Sequence, residues 1–114
     1  YRNYIIMVKL LKVIPSDVKN KKYSAYFQLD NGKEKKINFG QAGAKDFTLI
    51  NKKDSKFYID NKDDREKVKT AYRSRHAKDP INNPLTAGSL SWHILWELAS
   101  FAGSIKKFKN KFKL

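Results

Sequence analysis

Lys22-Tyr-Ser-Ala-Tyr-Phe-Gln-Leu29 runs into Asp30-Asn-Gly-Lys33 and out again through Glu34-Lys-Lys-Ile-Asn-Phe39. Tyr23, Ala25, Phe27 and Leu29 alternate with polar neighbours, the two-residue period of a strand that buries one face. Asn31-Gly32 favours the positive φ angles of a tight type I′ turn. The segment therefore predicts a β-hairpin in which Ile37 and Phe39 meet the apolar face of the first strand.

Upstream, residues 4–14 are rich in Ile, Val, Leu and Tyr, and Lys9 and Lys12 give the run one wetter side. That composition predicts a further strand, closed by Pro15, which cannot donate to a ladder. The run is far short of the roughly 20 apolar residues that a bilayer span needs. Its lysines, and the lack of a small-residue cleavage site after it, argue against a secretory leader. Ser16 to Lys22 reads as a polar loop.

Downstream, Phe39-Gly-Gln-Ala-Gly43 is a glycine-containing loop, and Asp46-Phe-Thr-Leu-Ile50 reads as a short strand. After the anchor Phe57-Tyr-Ile59, Asp60 or Asn61 is placed to cap a helix running to about His76, with Asp63, Asp64 and Glu66 in its first turn. Val68, Ala71, Tyr72 and Arg75 would share its inner face. Asp79-Pro80 and Asn83-Pro84 break the chain, and Thr86 to Trp96 predicts a second helix with Leu90, Ile94 and Leu95 inward. Ser100 caps a last helix, on which Phe101, Ile105, Phe108 and Phe112 form one stripe. The expected class is α+β: a small antiparallel sheet, N-terminal strand plus hairpin, followed by about three helices packed on it. The 114 residues read as one domain, residues 1–50 mainly strands and 57–114 mainly helices.

Composition narrows function by exclusion. There is no cysteine, so disulfides and thiolate metal sites are ruled out. The histidines, His76 and His93, lack the partners of a metal site. At the end of a helix, His76 reads as a contact to its C-terminal dipole, and His93 as a packed residue. Ser89, Ser91 and His93 are helical neighbours that do not make a nucleophilic triad. Asp63, Asp64 and Glu66 read as a charged first turn rather than an acid–base pair, and the Gly40–Gly43 loop lacks the lysine and length of a phosphate-binding loop. The expectation is a protein that is not an enzyme and has no cofactor, metal or small-molecule substrate.

The formal net charge of +14 points instead to acidic partners. Residues 1–22 and 101–114 each carry a net +5, whereas residues 45–79 mix eleven bases with seven acids. The expected polyanion-binding residues are Arg73, Arg75 and Lys78 beside Tyr72, and Lys106, Lys107, Lys109, Lys111 and Lys113 on the last helix. With twenty-one lysines to four arginines, contact with phosphate would be strongly salt-dependent and weakly sequence-specific.

Several stretches from residue 39 onward resemble an uncharacterised family of short basic proteins encoded by giant (nucleocytoplasmic large) DNA viruses. They are Phe39–Gly43 with Asp46-Phe-Thr48, Tyr72 with Arg75-His76, Pro84-Leu-Thr-Ala-Gly-Ser-Leu-Ser91, Ile94-Leu-Trp96, Ser104-Ile105 and the Lys/Phe-rich end at 107–112. Two departures from that family's pattern are Asp79-Pro-Ile-Asn, where an acid and a tryptophan are usual, and Trp96-Glu-Leu-Ala, which lacks a proline. The resemblance implies a viral protein of the virion, present in host-cell cytoplasm during assembly, and brings no catalytic residue. Asp46, Arg75, His76, Ser91 and Trp96 are expected to form a buried polar network, with Asp46 paired to Arg75. Two functions fit. One is a structural, minor-capsid type of component that contacts other virion proteins or an anionic membrane surface. The other is a sequence-nonspecific nucleic-acid-binding protein for genome packaging.

Overall fold

The computed structural model describes residues 8–114, and the expected strand residues 4–7 lie outside that range. Three strands, β1 (Lys9–Pro15), β2 (Lys21–Gln28) and β3 (Glu34–Gln41), form an antiparallel sheet in the order β1-β2-β3. Tyr23 faces Phe39 and Ala25 faces Ile37, so the two hairpin strands share one apolar face as the alternation requires. Behind it, Ser24 and Ser16 both donate to the Asn38 side-chain oxygen, which ties the β1–β2 connection to β3.

The hairpin turn differs from the type I′ expectation. Leu29 and Lys33 close the loop, the Gly32 amide donates to the Leu29 carbonyl, and only Gly32, at φ 83°, is left-handed. This is a three-residue loop, a turn followed by one left-handed glycine. Asn31 keeps negative φ and instead accepts the Lys33 amide on its side chain, the local bond that asparagine offers in turns.

A bulge at Leu11 sets the facing of β1. Leu10 pairs with Phe27 but Lys12 pairs with Tyr26, so one extra residue enters the outer strand. Without it Lys12 would fall on the core face; with it Val13 returns there opposite Ala25. The Lys12 ammonium lies 4.8 Å from the centre of the Tyr26 ring on the other face.

The helical half follows: α1 (Phe47–Ile50), α2 (Lys62–Arg75), α3 (Ala87–Leu90) continuing into a π-helical turn (Ser91–Leu95), and α4 (Phe101–Phe112). The strand expected at Asp46–Ile50 is a helical turn, because the Asp46 carboxylate accepts the Leu49 amide and caps it. Asn61 caps α2, Thr86 caps α3 and Ser100 caps α4, each through its side-chain oxygen. The buried side of α2 is rotated from the expected one. Val68, Lys69, Tyr72 and Arg73 are covered, whereas Ala71 and Arg75 are exposed.

The core lies between the inner face of the sheet and the helices. Phe27, Phe39, Ile50, Leu90, Ile94 and Phe108 are fully enclosed. Tyr23 stacks on Phe101 at 4.7 Å, joining β2 to the start of α4. The π-helical turn comes close to the sheet at Gly40, where an added Cβ would lie 3.0 Å from Leu95 and from the Cβ of Lys22. Gly40 also has φ 77°, so both backbone and space require glycine. Gly40→Ala should lower stability by about 2–3 kcal/mol. Gly43→Ala, at φ 80° with open space around it, should cost about 1 kcal/mol from the backbone alone. Chemical denaturation of the two variants side by side checks the order.

Candidate functional site: a basic cleft beside the hairpin base

All five residues expected to form a network line one cleft of about 820 Å³: Asp46, Arg75, His76, Ser91 and Trp96. Its walls come from the base of the hairpin (Asn20, Lys21, Lys22, Gly40, Gln41), the loop before α1 (Ala44, Lys45), the end of α2 and the π-helical turn. Asn20, at φ 70°, turns the chain into β2, and its carbonyl accepts the Ala42 amide, holding the two loops together.

The expected Asp46–Arg75 pair is not formed. Asp46 is buried and paired with Lys22, whose Nζ donates to Oδ2 at 2.7 Å and to the Ala44 carbonyl at 2.6 Å. Its other oxygen accepts the Thr48 hydroxyl and the Leu49 amide. The carboxylate is thus satisfied from three directions, as a buried charge must be. Arg75 cannot contribute, because the rotation of α2 puts its guanidinium in solvent.

The remaining residues of the expected network form a stack rather than a polar chain. The Tyr72 ring lies between Trp96, at 4.3 Å and nearly parallel, and His76, at 4.2 Å. Burial pushes the Tyr72 phenol up to about 12, the Asp79 charge adds to this, and a hydrogen bond with Ser91 partly offsets it. His76 ends α2, its amide donating to the Tyr72 carbonyl, while its Nδ1 meets Asp79 at 2.8 Å. The helix-end position read from the sequence is therefore found, with a carboxylate partner that fixes the ring.

The expected polyanion-binding residues divide. Arg73 donates to Glu97 at 2.8 Å and its guanidinium sits 4.6 Å from the Trp92 ring centre, so it is an internal residue. Lys107 takes the other oxygen of the same carboxylate at 2.9 Å. Arg75, Lys78, Lys106, Lys111 and Lys113 are exposed, and Lys109 is half-buried. Among the described residues no carboxylate lies within ion-pair distance of these six.

Glu97 is the residue that sequence reasoning missed. It accepts from Arg73 of α2 and Lys107 of α4, and its carbonyl accepts Lys69 Nζ at 2.6 Å. Burial opposes its ionisation, but the hydrogen bonds and charges of Arg73 and Lys107 hold it at about 2, below its ordinary 4.5. Nearby, Ser89 and His93 Nε2 both donate to the Ile81 carbonyl, and burial pushes the His93 imidazole down. His93 is thus the packed residue that its position predicts. Among the described residues no group of three His, Asp or Glu is placed to hold a metal ion, and no helix is long and apolar enough to cross a membrane.

Two outcomes test these contacts. In a double-mutant cycle, Asp46→Ala and Lys22→Met should be coupled by more than about 1 kcal/mol. Asp46→Ala and Arg75→Ala should be additive within about 0.5 kcal/mol. Because the Glu97 pKa is lower folded than unfolded, its stabilisation is present above pH 4.5 and is lost as pH falls from 4.5 towards 2. Glu97→Gln should cost about 2 kcal/mol at neutral pH and flatten that acid limb in melting curves recorded against pH.

A family of unknown function (DUF5754) matches residues 11–54, from within β1 to just beyond α1. The matched stretch contains Lys22, Gly40 and Asp46, so the ion pair and the glycine packed on it lie within one segment similar to that family. No curated protein and no solved structure matches the chain.

Proposed function

We propose that this protein is a non-enzymatic structural component of a large DNA virus particle, held to acidic partners by the lysine face of α4. The observation that carries this reading is the division of that helix. Phe101, Ile105, Phe108 and Phe112 pack against the core, while residues 101–114 hold five lysines and no acid. Lys107 alone of the five meets a carboxylate among the described residues. Four point charges are left to attract an acidic surface, a contact that is weak per charge, additive along the helix and screened by salt.

The viral setting rests on the resemblance of the stretches between Phe39 and Phe112 to proteins of giant DNA viruses. Other virion proteins with acidic faces are the partners that this reading favours. Sequence-nonspecific contact with packaged DNA is the second use that the same lysines would serve, since ammonium groups meet phosphates as point charges.

A variant with Lys106, Lys109, Lys111 and Lys113 all changed to Gln separates these uses. Its binding to immobilised polyglutamate should be about tenfold weaker or worse at low salt. Its logarithmic salt slope on duplex DNA should fall by about 3–4. In virus carrying the variant, the protein should be depleted from purified particles. Full incorporation, with unchanged polyglutamate binding, would show that α4 is not the docking face.

A further inference from the structure

We infer that the cleft at the hairpin base binds a nucleotide unit of single-stranded nucleic acid, with Lys21, Lys45 and Arg75 as its phosphate-binding groups. The site is separate from α4 and does not depend on the docking role of that helix.

Charge is the first argument. Lys21, Lys45 and Arg75 come from three different elements, all are exposed, and all line the same cleft. Among the described residues none has a carboxylate within ion-pair distance, whereas Lys22 and His76 on the same walls are each paired. The one carboxylate lining the cleft, Asp46, is neutralised by Lys22 and turned into the protein by its bonds to Thr48 and Leu49. An anion entering the cleft therefore meets three uncompensated cations and no free negative charge. One of them is a guanidinium, which can grip a phosphate through two parallel bonds.

Size and lining choose the kind of anion. About 820 Å³ lies in the range of pockets that enclose small ligands, so a flat acidic protein face or a duplex would cover the mouth without filling the cleft. The walls also carry the side-chain amides of Asn20 and Gln41 and the His76–Tyr72–Trp96 stack. Amides offer donor and acceptor together, which matches the mixed edge of an unpaired base. The half-buried His76 ring, at the outer end of the stack, is a surface on which a splayed base can stack, since both faces of the Tyr72 ring are already covered. An acidic peptide would engage the cations and leave the amides and the His76 ring face unused. A nucleotide uses all three.

The test compares three proteins: the natural chain, Lys45→Ala/Arg75→Ala, and the four-glutamine α4 variant. Binding of a labelled oligothymidylate of about twelve nucleotides is followed by anisotropy, with tryptophan emission as a second signal because Trp96 lines the cleft. Both cleft substitutions are at exposed, unpaired side chains, so the melting temperature should stay within about 3 °C. The cleft variant should bind the single strand at least about tenfold more weakly while keeping duplex affinity within about threefold. Loss of the natural chain's tryptophan response should accompany the weaker binding. A loss of less than twofold on the single strand would overturn the assignment, as would equal losses on single strand and duplex, which mark diffuse charge. Displacement of the oligonucleotide by polyglutamate at equal charge concentration would assign the cleft to acidic peptide and also overturn it. The α4 variant reads the docking proposal independently, since it keeps the cleft intact.

Discussion

The rest of the structure hangs on the bond between Lys22 and Asp46. Lys22 lies on the second strand, and Asp46 starts the first helical turn; between them runs the connection from sheet to helices. A buried carboxylate is costly unless every oxygen is engaged, and here lysine, threonine and a backbone amide engage it. The lysine stem is in turn pressed against Gly40, which brings the π-helical turn down on the sheet. Hairpin, loop and third helix are thereby fixed to one another around a single charge, and the cleft is the space that this leaves beside them.

Features set by near neighbours were legible in the sequence. The alternation in the hairpin strand, the cap at Ser100 and the stripe on the last helix appear where the residue pattern puts them, and of the two caps it offers for α2, Asp60 or Asn61, the structure uses Asn61. Features set by distant partners were not. The partner of Asp46 is one lysine among twenty-one, placed twenty-four residues earlier by a strand pairing that no local signal specifies. The four apolar or neutral residues after Asp46 suit a strand or a helical turn equally on periodicity, and the cap decides between them. The inner face of α2 was misjudged because Arg73 looks like a surface residue until Glu97 is known to lie opposite. The five residues that the family resemblance drew together do meet, around a cleft rather than inside a network.

Charge counting from composition overstates what is available at the surface. Of the basic residues expected to bind polyanions, Arg73 and Lys107 bind α2 and α4 to the same glutamate; outside that set, Lys22 is taken up by Asp46 and Lys69 by the Glu97 carbonyl. What remains for partners includes two places where unpaired bases are gathered, one helix face and the mouth of one cleft. Internal and external uses of lysine cannot be separated by composition, since the residue is the same and only its neighbours differ.

The π-helical turn at Ser91–Leu95 follows α3 and ends it, with Trp96 already outside helical geometry. Its wider turn sets where around the helix axis the chain leaves, and the irregular segment from Trp96 to Ser100 starts from there. Trp96 thereby reaches Tyr72, and Glu97 reaches both Arg73 and Lys107. The irregular turn thus acts as an exit ramp: local regularity is given up at the point where the chain leaves the helix to hand Trp96 to α2 and Glu97 to both α2 and α4.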